Sequence, residues 1–95
     1  MEELFIPIEF YRIKELNNTE RTVLAIYRHY TFKSDLHYCT LKNEDVCNLI
    51  GLKDVRYLRR IKKHLKDLGL IKTDGMNVTY INANDDGNDV WFCDV

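Results

Sequence analysis

Residues 54–68, DVRYLRRIKKHLKDL, constrain the fold more than any other stretch of the chain. At about 100° per residue, Leu58, Ile61, Leu65 and Leu68 share an arc of roughly 80°, flanked by Val55 and Tyr57. Arg56, Arg59, Arg60, Lys63 and Lys66 fill an arc of about 120° on the other side. In water that pattern suits an amphipathic helix laid on a core by its apolar stripe. Asp54 is a good N-cap, and Gly69 suits the position just past a helix end, so the predicted helix covers 54–68.

Such a helix needs partners, and the remaining glycines and caps delimit them. Residues 1–16 read as a lead-in: an extended piece, then a short helical turn opened by Pro7, with Phe5, Ile8, Phe10, Tyr11, Ile13 and Leu16 as apolar contacts. Asn17 or Asn18 caps a first helix running to about residue 30, and Glu20 completes a capping box with Asn17. Its apolar positions are Val23, Leu24, Ile26, Tyr27 and Tyr30. Residues 31–35 are turn-like, and 37–41 alternate as a short strand does. A second helix begins after the cap-like Asn43, carries Glu44 and Asp45 in its first turn, and stops at Gly51 after Val46, Leu49 and Ile50. Beyond Gly69, strands are predicted at 70–73, 77–82 and 90–93, with a hairpin tip at 84–88. The order helix, short strand, helix, tight turn, helix, strand, strand predicts a mainly α fold with a small β-sheet, a winged helix-turn-helix. One domain spans 1–95: lead-in 1–16, helical core 17–75 with its helix-turn-helix at 43–68, and an acidic wing hairpin at 70–95.

Composition narrows the function classes. Ninety-five residues, 45% hydrophobic and 31% charged, suit one ordinary globular domain with a modest core. Net charge is −1, yet its distribution is polarised: −2 over residues 1–52, +6 over 53–72 and −5 over 73–95. Local field rather than the total decides what a face attracts. The three cysteines, Cys39, Cys47 and Cys93, are odd in number and fit a reducing compartment. The acidic start MEELFIPIEF suits neither a secretory nor a transit peptide, and no apolar run approaches the roughly 20 residues of a membrane span. A cytoplasmic setting in a bacterial cell, without a membrane, is expected.

No chemistry-bearing constellation stands out. Cys39, Cys47 and Cys93 with His29, His37 and His64 include zinc-type ligands, but none has paired-ligand spacing beyond His37-x-Cys39, so no metal site is expected. The carboxylates sit at helix starts and in a turn, and no triad or glycine-rich phosphate loop appears, so neither catalysis nor a cofactor is expected.

The basic helix therefore carries the functional reading. In a helix-turn-helix the second helix projects its outer face into the DNA major groove, where arginine bonds guanine bidentately and lysine suits phosphates. The expected double-stranded DNA contacts are Lys53, Arg56, Arg59, Arg60, Lys63 and Lys66. One such helix reads a short half-site, which favours a homodimer. The competing reading is a solvated cationic face with no partner. A further alternative is a protein-interaction module, for oligomerisation or for inhibiting a host or defence protein. It would use Asp85, Asp86 and Asp89 of the acidic wing, and Trp91, whose neighbour Phe92 faces the other side. The acidic tip would repel phosphates, so the wing is not expected to share the DNA.

Residues 43–75, NEDVCNLIGLKDVRYLRRIKKHLKDLGLIKTDG, together with FIPIEFYRIKELNNTERTVLAIYRHYT ahead of them, form a recognisable pattern. It resembles the winged-helix domains of phage and plasmid replication-initiator and replisome-organiser proteins of Gram-positive bacteria. The similarity covers residues 5–81, and its Leu65–Ile71 step, L-x-x-L-G-L-I, is common to many winged helices. The resemblance implies sequence-specific duplex binding, often at origin repeats, by Arg56, Arg59, Arg60 and Lys63, in replication or in transcription regulation. It also implies a replication-protein partner. The acidic wing and the lack of a partner-loading region depart from the pattern, so the sequence looks like an excised domain or a small stand-alone phage or plasmid protein.

Overall fold

A computed structural model describes residues 8–33, 38–75 and 78–81. Their elements are a 3-10 helix (Ile8–Arg12), α1 (Asn18–Lys33), α2 (Asn43–Ile50), α3 (Val55–Asp67), β1 (Ile71–Asp74) and β2 (Val78–Ile81). The architecture is mainly helical, with a two-stranded antiparallel sheet that pairs Ile71 with Ile81 and Asp74 with Val78.

Local chemistry accounts for the helix ends. The Asn17 amide donates to Glu20 Oε1 at 2.9 Å and the Glu20 amide to Asn17 Oδ1 at 2.8 Å, a complete capping box. At the far end α1 runs three residues past the expected residue 30, and within this last turn the Thr31 hydroxyl bonds back to the Tyr27 carbonyl at 2.6 Å. Helix α2 ends on Gly51 at φ 74°, a left-handed conformation that only glycine adopts cheaply, with the Leu52 amide returning to the Cys47 carbonyl at 2.9 Å. Helix α3 ends on a Schellman motif. The Gly69 amide (φ 76°) bonds the Lys66 carbonyl at 2.9 Å, and the Leu70 amide bonds that of Leu65 at 3.0 Å. Leu65 and Leu70 are both buried, which supplies the apolar contact that this motif favours.

α1 is the centre of the core. Val23, Leu24, Ala25, Ile26 and Tyr27 are all buried, and the helix packs on α2, α3 and β2. The lead-in adds Phe10, Ile13 and Leu16, with Tyr11 outside. Arg21 ties it down, its Nε donating to the Phe10 carbonyl at 3.1 Å and Nη2 to that of Ile13 at 3.3 Å. From the other side, α2 contributes Val46 and Cys47, α3 Leu58, Ile61 and Leu65, and the sheet Ile71 and Ile81. Each such aliphatic side chain contributes about 1.5–3 kcal/mol by leaving water.

Two expectations shift, and a third lies outside the described residues. Of the strand expected at 37–41, the described residues form a single antiparallel bridge, Cys39 to Thr79, with amide–carbonyl bonds of 2.8 and 2.9 Å. Thr79 pairs with Thr73 on its other side, so that β2 lies between β1 and Cys39. Asn43 is the first residue of α2 rather than its cap; Lys42 takes the cap position and offers no side-chain bond. The strand at 90–93 and the tip at 84–88 lie outside the described residues, and the described hairpin is β1–β2, whose connection begins at Gly75.

Candidate nucleic-acid interface

α2 and α3 are consecutive helices that pack on each other, joined across Gly51, Leu52, Lys53 and Asp54. Leu52 turns inward against the core, which anchors the turn. Asp54 starts α3: its carboxylate accepts from the Arg56 amide at 2.9 Å and from Arg56 Nε at 3.2 Å. The Arg56 side-chain bond and then its amide hold the Asp54 carboxyl below the ordinary carboxylate range, and the charge of Arg60 adds to the effect.

The helix divides as its sequence predicts. Leu58 and Leu65 are fully buried and Ile61 nearly so, while Arg56, Arg59, Arg60, Lys63 and Lys66 are exposed. Lys53, in the turn, is exposed as well. The six expected DNA contacts therefore lie on the turn and one helix, at the surface. Among the described residues Arg56 pairs with Asp54, which is also exposed, and such a solvated pair contributes little to stability and is readily exchanged. Asp67 is the other acid on this helix, near its C-terminal end.

Lys62, absent from the expected contacts, is the residue that sequence reasoning missed. It lies at the border between the two faces, half-buried. Its Nζ donates to Asn43 Oδ1 at 2.9 Å, which is why Asn43 does not cap α2. The same ammonium lies 5.8 Å from the centroid of the Tyr27 ring. Burial pushes the Lys62 pKa down, and the neighbouring charge of Lys66 pushes it further. The sequence signal was the spacing Arg59, Lys62, Lys66, three and then four residues apart on one side of a helix.

Below Lys62 the core turns neutral. Tyr27 is fully buried and its hydroxyl has no hydrogen-bond partner among the described residues. Burial raises its pKa, with smaller contributions from the thiols of Cys39 and Cys47. Both cysteines are free and buried, and burial raises their own pKa values too. They behave as small core side chains rather than as nucleophiles. Of the other residues weighed as metal ligands, His64 Nδ1 pairs with Glu20 and His29 meets Tyr30 edge-on at 5.2 Å, while His37 and Cys93 lie outside the described residues. No cluster of three or more His, Cys, Asp or Glu that could hold a metal occurs among the described residues.

Asp85, Asp86, Asp89 and Trp91, the expected protein-interaction residues, also lie outside the described residues. No described helix is long and apolar enough to cross a membrane. Compared with known protein families, curated proteins and solved structures, the chain matches none.

Proposed function

We propose that this chain is a winged helix-turn-helix domain that binds double-stranded DNA sequence-specifically, with α3 as its major-groove reader. The observation that carries the reading is the outer face of α3. Arg56, Arg59, Arg60, Lys63 and Lys66 stand exposed on the second of two helices joined by a four-residue turn. Ion-paired surface helices intersperse both signs, whereas here the only acids are Asp54 and Asp67 at the two ends. The bridge from Cys39, between α1 and α2, to Thr79 on β2 fits a winged helix. So does the direct exit of α3 into a hairpin.

On this reading Arg56 and Arg60 address base edges, and Lys53 and Lys63 address flanking phosphates. The resemblance to phage and plasmid initiators supports a role in replication or regulation within a bacterial cell, and a short half-site supports action as a homodimer. The test is duplex binding by fluorescence anisotropy, with a site chosen by selection from random duplexes. Affinity should fall steeply with salt, log K declining by about 0.9 per phosphate contacted for each tenfold rise in salt. The double variant Arg56→Ala/Arg60→Ala should lose at least about tenfold in affinity and most of its sequence preference. No enriched motif and a flat salt response would sink the reading in favour of the interaction module.

A further inference from the structure

The cationic face of α3 is two surfaces, not one. Arg56, Arg60 and Lys63 share an arc of about 60° that faces outward. Arg59, Lys62 and Lys66 share a second arc of about 60°, closer to the buried stripe, and these three overhang a cleft. The cleft measures about 290 Å³, is open to solvent, and is bordered by Asn43 at the start of α2 and by Thr73 and Gly75 where β1 enters its turn. That volume is at the lower limit of small-molecule sites, roughly 300–1,000 Å³. Three elements thus converge on a space large enough for a small polar group.

Its lining is one-sided in charge. Among the described residues, three cations and two hydrogen-bonding side chains line it, and no carboxylate does. Glu44, Asp45 and Asp74 are close in sequence to lining residues, yet they are exposed and do not line the cleft. Among the described residues no carboxylate forms an ion pair with Arg59, Lys62 or Lys66. Lys62 has given up part of its hydration for a neutral amide, and it sits close enough to Lys66 for their charges to disfavour each other. Like charges gathered around a part-desolvated space leave a favourable potential for an anion. The arginine supplies a planar fork, the two lysines supply point charges, and the Thr73 hydroxyl supplies a neutral donor.

We propose that this cleft is a seat for a single phosphate group, held by Lys62, Lys66 and Arg59 with Thr73 and Asn43. If the DNA reading holds, the occupant is a backbone phosphate beside the groove read by Arg56 and Arg60. The seat then fixes the register of α3 while the outer arc supplies base contacts. The same chemistry would also take a free phosphate compound, and the experiment separates the two sources.

The full chain is titrated with inorganic phosphate at constant ionic strength, followed by amide shifts of Asn43, Thr73 and Gly75. The expected result is saturable, localised movement at these three, competed by sulfate but not by chloride. Lys66→Ala should weaken it at least about tenfold. Lys62→Met retains the aliphatic stem and should do the same, and the exposed Lys66 keeps the test decisive if the Lys62 variant fails to fold. A second arm measures duplex affinity against salt, where Lys66→Ala should flatten the slope by about 0.9 without changing sequence preference. Phosphate binding without duplex binding would support the seat with a free phosphate as occupant and would overturn the DNA reading. Duplex binding with an unchanged slope and no phosphate shifts would leave the DNA reading standing and overturn the seat.

Discussion

α1 and α3 both exceed three turns and pack in the same core, yet they use their surfaces in opposite ways. α1 buries five consecutive residues, Val23 to Tyr27, and five consecutive helical positions point in every direction around the axis. It is enclosed. α3 buries Leu58, Ile61 and Leu65 along a single stripe and leaves Arg56, Arg59, Arg60, Lys63 and Lys66 exposed. The fold therefore hangs on α1, and the chemistry available to a partner sits on α3. One carboxylate joins the two, since Glu20 closes the capping box at the start of α1 while pairing with His64 near the end of α3.

The comparison can be broken most severely where α3 meets α1. Leu58→Ala removes a fully buried side chain and should cost about 2–5 kcal/mol, read as a drop in urea midpoint. A domain of this size has only about 5–15 kcal/mol in total. A smaller loss would mean that α3 is less firmly seated than its burial implies. The Arg56→Ala/Arg60→Ala variant is the contrasting case: duplex affinity should fall at least about tenfold while stability stays within about 0.5 kcal/mol. A large loss of stability there would show that the outer face of α3 also holds the fold.

Smaller effects sharpen the picture of α1. Asn17→Ala removes one side of the capping box and should cost about 1 kcal/mol in chemical denaturation. Tyr27→Phe deletes a buried hydroxyl that has no partner, so stability should hold or rise by up to about 1 kcal/mol. A clear loss would reveal a hydrogen bond that the described residues do not supply.

The smallest effect is titration at the junction. The folded-state pKa of Lys62 is lowered, so in the window below the ordinary lysine value of about 10.4 the unfolded chain binds more protons than the folded one. Stability from this residue accordingly rises with pH through that window and falls as pH drops through the folded pKa. Measured against Lys62→Met, the wild type should gain relative stability as pH rises toward the ordinary lysine value of about 10.4. A difference independent of pH would place the ammonium in water.

What the amino-acid order determined by itself is the set of features decided within one or two helical turns. The capping box of Asn17 and Glu20, the Asp54 cap, the stops at Gly51 and Gly69 and the two faces of α3 were all legible, because each rests on contacts two to five residues apart. The tertiary structure alone decided the contacts that join distant positions. Asn43 turned from cap to partner because Lys62, 19 residues away, reached it. The strand expected at 37–41 is represented in the described residues by one bridge, since Cys39 meets β2 only at Thr79. His64, weighed as a metal ligand, became the partner of Glu20 across 44 residues. Periodicity reports which side of a helix is apolar; it does not report which element will cover the border of that side. For this reason the outer arc of α3 could be read from the sequence, while the cleft at its inner edge needed α2, β1 and α3 in place together.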